Sequence, residues 1–266
     1  MRSPSERAAD LACGFVAVLA FIVLYAPLGI GALFSIVPVD RQGIHWGDAT
    51  LRWYGTFLQN PSIVSAVETT LIVGVAAVVI AAVLAVVLAL YVEWEGAMFR
   101  RVVELIVYLP FLLPPIVTGL SLLIFFFNAG IARGYVTIVI GHTIFVLAVL
   151  FRLIQTRLKS IPPSLFEASS DLGASRWQTF RHVLWPQLQS AVATGAILAF
   201  TLSFDETLIS VFLAGDATTL PLRLWAMMRV GFTPEINALV TVVLAMSIAL
   251  TVAIALRLKP EDQREE

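Results

Sequence analysis

Six long apolar runs, with the charged residues gathered between them, constrain this chain more than any other feature. They lie at about 11–37, 66–92, 102–127, 135–153, 191–213 and 237–256. Each reaches or approaches the roughly 20 apolar residues needed to cross about 30 Å of hydrocarbon. Lipid offers no partners to backbone polar groups, so a spanning segment must be a helix or part of a closed barrel. Unbroken apolar runs fit helices, whereas barrel strands alternate polar and apolar positions. The expected fold is therefore an all-α membrane protein with about six transmembrane helices, forming one transmembrane domain over 1–266.

Arg2 and Arg7 precede the first run, as they would in a secretory signal. A cleavable apolar region is only about 7–15 residues long, and this run is longer, so it reads as an uncleaved first span. The seventeen Lys and Arg residues divide unevenly between the loops. Arg2, Arg7, Arg100, Arg101, Arg152, Arg157, Lys159, Arg176, Arg181, Arg257, Lys259 and Arg264 fall on one side. Arg41, Arg52, Arg133, Arg223 and Arg229 fall on the other. Cytoplasmic loops carry the excess, so both termini are expected in the cytoplasm. The acidic tail at 261–266 reads as a solvated end.

Composition removes several classes of function. The formal net charge is −1, so no global basic field draws nucleic acid. The single cysteine, Cys13, cannot form an internal disulfide or a multi-thiolate site and reads as a buried small hydrophobe. His45, His142 and His182 lack metal-ligand spacing and are assigned no chemistry. No Ser/His, paired-His or CxxC constellation marks an enzyme within the spans. The two halves show no matched repeat of the kind that builds secondary transporters.

Two loops stand out. The outer loop at 40–65 carries Trp46, Trp53 and Tyr54, which fit either an interfacial aromatic belt or a surface for an external partner. The inner loop at 159–189 reads as two capped helices. Pro162 and Pro163 stop the preceding helix. Ser164-Leu165-Phe166-Glu167 has the form of a capping box, as does Ser175-Arg176-Trp177-Gln178. Between them, Gly173 sits where a helix ends in the left-handed region. Pro186 is expected to punctuate the approach to the fifth span. Such a hairpin can rest on lipid headgroups or dock a cytoplasmic partner, and two successive caps favour a rigid, presented element.

Asp205 and Glu206 lie inside the fifth run. A charged group at mid-bilayer costs about 2.5–3.5 kcal/mol on insertion scales, so it usually faces protein or water. On a straight helix from residue 191, Asp205 stands about 21 Å along the axis. Helical spacing then groups Ser203, Glu206, Thr207 and Ser210 on one polar stripe and turns Asp205 about 100° away. The pair can bond a neighbouring helix or serve as counter-charge to a cation, with Glu206 the better placed. Pro110, Pro114 and Pro115 kink or break the third run, either for packing or to line a cavity.

The inner loop carries a specific resemblance. Glu167-Ala168-Ser169-Ser170-Asp171-Leu172-Gly173-Ala174, continuing through Phe180, Val183, Leu184 and Pro186, resembles the EAA loop of bacterial ABC-importer permeases. Ser169 replaces the second alanine, and Trp185 replaces the leucine before the proline. Tyr25-Ala26-Pro27-Leu28, Leu109-Pro110 with Pro114-Pro115, and Ser203-Phe204-Asp205-Glu206 are similar to the second permease subunit of the spermidine/putrescine group.

The resemblance implies a bacterial inner-membrane subunit. It implies as partners two ATP-binding cassette subunits, a second permease and an extracytoplasmic solute-binding protein. Glu167, Ala168, Asp171 and Gly173 would belong to the coupling element seated on an ATPase. Ser203, Asp205 and Glu206 would lie along the path of a small solute, such as putrescine or spermidine. Related permeases carry other cargo, including iron, phosphonate and opines. The chain has no Gly-x-x-x-x-Gly-Lys-[Ser/Thr] segment, so no cofactor is expected and ATP would be hydrolysed by a partner subunit.

Overall fold

The computed structural model describes residues 4–40, 43–93, 97–231 and 233–257. Arg2, Arg41, Lys259, Arg264 and the tail at 261–266 lie outside the described residues. The chain is helical almost throughout. Its elements begin with α1 (Pro4–Phe34), the short strands β1 (Val39–Asp40) and β2 (Gly43–Ile44), α2 (Arg52–Gln59) and α3 (Pro61–Val92). Then come α4 (Arg100–Leu112), α5 (Pro115–Asn128), α6 (Tyr135–Lys159), α7 (Ser164–Asp171) and α8 (Arg176–Thr179). The last are α9 (Trp185–Asp205), α10 (Leu208–Leu213), α11 (Leu220–Val230) and α12 (Pro234–Arg257). Two compact units result, one from Met1–Val64 with Ala226–Glu266 and one from Ser65–Trp225.

In the first unit α1 packs along α12, which also meets α2. Almost all of the apolar surface of α1 is uncovered by the chain itself. A helix apolar on every side belongs in lipid or against another chain. Cys13 is exposed there, not buried as expected, because α1 meets protein along only part of its length. The outer loop is ordered by polar contacts. Ser35 donates to the Ala32 carbonyl at 2.6 Å and accepts from the Tyr54 hydroxyl at 2.6 Å. Asn237 donates to the Phe34 carbonyl at 3.5 Å, and Asn60 to Glu235 at 3.5 Å. A two-residue ladder pairs Val39 with Ile44. The Arg52 guanidinium lies 4.3 Å over the Trp53 ring, beside a groove of about 560 Å³ that His45, Asp48 and Pro234 also line.

The second unit is built on α3, α6 and α9. Ala77, Ala81, Ala85 and Ala89 recur every fourth residue on α3 and are fully buried. Such a stripe of small residues lets helices approach closely, which is how apolar helices associate when their surroundings are equally apolar. Val146, Leu150, Phe151 and Ile154 on α6 and Leu188 and Ala199 on α9 complete this core. A second cluster, of Phe126, Ile138, Ile209 and Leu213, joins α5, α6 and α10.

Among the described residues, α1, α3, α6 and the stretch from α8 through α9 are long and apolar enough to cross a membrane. The 24-residue α12 occupies the sixth expected place. Two spans depart from straight helices. The third is a bent pair, with α4 and α5 meeting at 110°. Proline has no N–H, so Pro114 leaves the Pro110 carbonyl without its helical donor. The Thr118 hydroxyl approaches that carbonyl instead, at 3.4 Å. Leu113 is extended, as a residue before proline prefers.

The fifth span is not one helix over 191–213. It starts further back and ends sooner. A π turn at Phe180–Leu184 joins α8 to α9, with the Trp185 N–H reaching back to the Phe180 carbonyl. This widened turn precedes Pro186, which therefore lies inside a helix of 30 residues, Arg176–Asp205, and does not separate two. The helix then breaks at Glu206 and Thr207, and α10 resumes for 6 residues.

Candidate functional site: a capped hairpin and a broken span

The inner loop is the expected hairpin, with one cap of two. Ser175 and Gln178 form the second capping box: Ser175 N–H donates to Gln178 Oε1 at 2.7 Å, and Gln178 N–H to Ser175 Oγ at 3.4 Å. The first box does not form. Pro163 already has helical angles, and the Pro162 and Pro163 carbonyls accept from Leu165, Phe166 and Glu167. Proline is preorganised for the first helical positions, so Ser164 falls inside α7 and its hydroxyl makes no cap.

Gly173 has φ +73°, the left-handed conformation expected of it. Its N–H bonds the Ser170 carbonyl at 2.9 Å, and Ala174 N–H bonds Ser169 at 3.1 Å, closing the end of α7. Glu167, Ala168 and Asp171 are exposed. Phe166 and Phe180 turn back onto the main core. Leu172 and Trp177 are exposed at 89% and 65%, leaving an apolar, acid-edged surface. Ser169 is buried, and its hydroxyl meets Thr179 at 2.8 Å, so the residue that departs from the EAA pattern ties the two arms together.

A polar cluster lies at the root of this hairpin. Glu93 meets Arg100 at 3.2 Å and Lys159 at 3.4 Å. Gln155, buried on α6, donates to Glu93 at 3.0 Å and Glu104 at 2.8 Å, and accepts from Tyr108 at 3.4 Å. It joins the ends of α3, α4 and α6. Sequence reasoning missed it, because its members are scattered over some 66 positions and only the fold assembles them.

At the break in the fifth span, Asp205 and Glu206 part company. Asp205 ends α9 and is exposed. Glu206 is buried, and its carboxylate accepts from the Ile209 N–H at 2.9 Å, capping the start of α10. The polar stripe inferred from a straight helix is interrupted where the chain turns at Glu206, although Ser203 and Ser210 still converge on one partner. Ser203, buried on α9, meets His142 Nδ1 at 2.8 Å, and Ser210 on α10 meets His142 Nε2 at 2.9 Å. His142 was assigned no chemistry from sequence; a lone histidine in an apolar run gives no local sign of partners 61 and 68 residues away.

Six-residue α10 is too short to hold itself together. Its last residue is fastened to the start of α6: Leu213's carbonyl accepts from the Thr137 hydroxyl at 2.8 Å and from the Gly134 N–H at 3.1 Å. Gly141 permits this approach, because a Cβ there would stand 2.6 Å from Leu213 and 2.7 Å from Ile209. The break thus joins an exposed carboxylate to the carbonyl end of α9. Helix C-termini carry partial negative charge, so both features favour a cation.

Residues 77–258 match the model of the binding-protein-dependent transport system inner membrane component family. The spermidine/putrescine transport system permease protein PotC of Escherichia coli K12 is 33% identical over 241 residues, which is 90% of each chain. The putrescine transport system permease protein PotI of the same organism is 34% identical over 261 residues, 94% of this chain and 92% of that one. Among solved structures, a bacterial ABC transporter that imports alginate matches with a TM-score of 0.76 at 17% identity. That match covers 97% of this chain and 99% of the other. The MetNI methionine ABC transporter matches with a TM-score of 0.54 at 22% identity over 73% of this chain and 93% of its own. Both share the fold, and the family match and the two permease relatives establish that this chain belongs to the inner-membrane permease components of binding-protein-dependent transport systems.

Proposed function

We propose that this chain is one of two permease subunits in an ATP-driven importer of polyamines, and that Asp205 is a counter-charge on the solute's path. The observation that carries the cargo is the break itself, where an exposed carboxylate and the negative end of α9 coincide. The polyamine names of PotC and PotI, each similar over at least 90% of this chain, support the same cargo. A flexible polycation is served by dispersed negative sites that bind weakly enough to release it.

The hairpin fits a seat on an ATPase subunit. Its exposed acidic edge and apolar tip present a surface, and the helix from Arg176 to Asp205 links that surface directly to the break. ATP-driven movement of the hairpin would then reach the solute path without passing through a loop. The groove beside Trp53, in the loop that the charge pattern assigns to the outer face, offers a surface to a solute-binding protein. Both termini would lie in the cytoplasm, on the side with twelve of the seventeen basic residues.

The test is ATP-dependent uptake of labelled putrescine and spermidine by the complex reconstituted with its partner permease, ATPases and solute-binding protein. Uptake of either polyamine is the expected result. An active importer that carries neither, while hydrolysing ATP, would sink the cargo assignment.

A further inference from the structure

We propose that His142 is a positioning residue for transport: as a neutral imidazole with its proton on Nε2, it pins together the two halves of the broken fifth span and fixes where Asp205 stands. The claim about Asp205 rests on the solute path proposed above; the pin itself does not.

The proton's position follows from counting hydrogens. Ser210 Oγ lies 2.9 Å from the Glu206 carbonyl, and a carbonyl can only accept, so the Ser210 hydrogen is committed there. A hydroxyl has one hydrogen. Ser210 Oγ must therefore accept from His142 Nε2, 2.9 Å away. An imidazolium would also donate to Ser210 but would leave a buried charge whose bonded partners are two neutral hydroxyls; the neutral form with Nε2 protonated presents a lone pair at Nδ1, to which the Ser203 hydroxyl, 2.8 Å away, donates. The bonds run one way, from Ser203 through His142 and Ser210 to the Glu206 carbonyl. The opposite tautomer would ask Ser210 to donate twice.

The chain of bonds crosses the break. Ser203 is on α9, Ser210 is on α10, and the Glu206 carbonyl belongs to the turn between them. Glu206 and Thr207 are the only residues joining the two helices, and neither is a proline or glycine that would impose a break by itself. All four members of the chain are buried: Ser203 at 2%, His142 at 2%, Ser210 at 0% and Glu206 at 8% exposure. Hydrogen bonds in such surroundings strengthen, and an orphaned donor there is costly. Asp205, one residue before the turn, takes its position from the geometry so fixed.

The experiment follows how fast a positively charged methanethiosulfonate modifies a cysteine at position 205. It uses Asp205→Cys in a Cys13→Ser background, within the complete importer in proteoliposomes. His142→Leu, which removes both bonds, is expected to change that rate by about fivefold or more, and His142→Gln, whose amide still donates toward Ser210, to return it to within about twofold. The double variant Ser203→Ala/Ser210→Ala is expected to match His142→Leu. Adding His142→Leu to that pair is expected to add nothing, since members of one network do not act independently. An unchanged rate in His142→Leu, or effects that sum across the three positions, overturns the pin. If His142→Leu does not assemble, the serine pair carries the test, and an unchanged rate there overturns the pin equally. The reagent, not the solute, is followed, so an importer that refuses polyamines removes the cargo assignment and leaves this result readable.

Discussion

At the residue scale, Gly173 and the Asp205–Glu206 pair make the sharpest claims. A Cβ at Gly173 would meet no neighbour within 4 Å, so any penalty there comes from the backbone. Left-handed angles cost an L-residue roughly 1–2 kcal/mol, and a β-branched one more. Gly173→Val is expected to lower uptake strongly and Gly173→Asn mildly, measured as uptake per assembled complex. Equal loss from both would show that size, not φ, matters. For the carboxylates, Asp205→Asn is expected to cut polyamine uptake roughly tenfold, about 1.4 kcal/mol. Glu206→Gln keeps an oxygen for the Ile209 N–H and should transport nearly normally. Glu206→Ala removes the cap, worth about 0.5–2 kcal/mol, and should reduce the amount of folded protein. Thermal stability measured beside uptake separates the two effects.

Among the elements, the helix from Arg176 to Asp205 carries the mechanical argument. Gln189 and Ser190 are exposed on it, so glycines there soften the helix without disturbing the core. Each glycine costs about 1 kcal/mol in an exposed helix interior. The double variant Gln189→Gly/Ser190→Gly is expected to keep ATP hydrolysis and lose uptake, measured as solute moved per ATP. An unchanged ratio would mean that the lever lies elsewhere.

The spans were legible in sequence because lipid forces their apolar runs. The hairpin was legible because Gly173 and the Ser175–Gln178 box are local signals. The failures come from contacts distant in sequence at the two breaks and from an adjacent proline at Ser164. Pro114 and Pro115 announced a break, but nothing local sets 110°. The break at Glu206 has no proline or glycine and depends on His142 in another helix. Ser164 lost its expected cap because Pro163, one residue earlier, was already helical.

For the whole molecule, the orientation that the charge pattern predicts has a direct test within the second unit. The α5–α6 loop holds only Arg133 among its basic residues, whereas α6 ends in Arg157 and Lys159 and leads into the hairpin. The 25 residues of α6, about 37 Å at 1.5 Å per residue, separate these loops by more than the hydrocarbon thickness of about 30 Å. Ala132 and Ser170 are both exposed, so either accepts a cysteine without loss of packing. In a Cys13→Ser background, a membrane-impermeant thiol reagent added to intact cells should label Ala132→Cys. It should reach Ser170→Cys only once the membrane is opened. Labelling of both in intact cells would contradict the crossing of α6, and the reverse pattern would invert the protein. Inversion would move the hairpin away from ATP and remove the coupling role with it. The labelling pattern therefore decides the first requirement of the proposed mechanism, before any transport is measured.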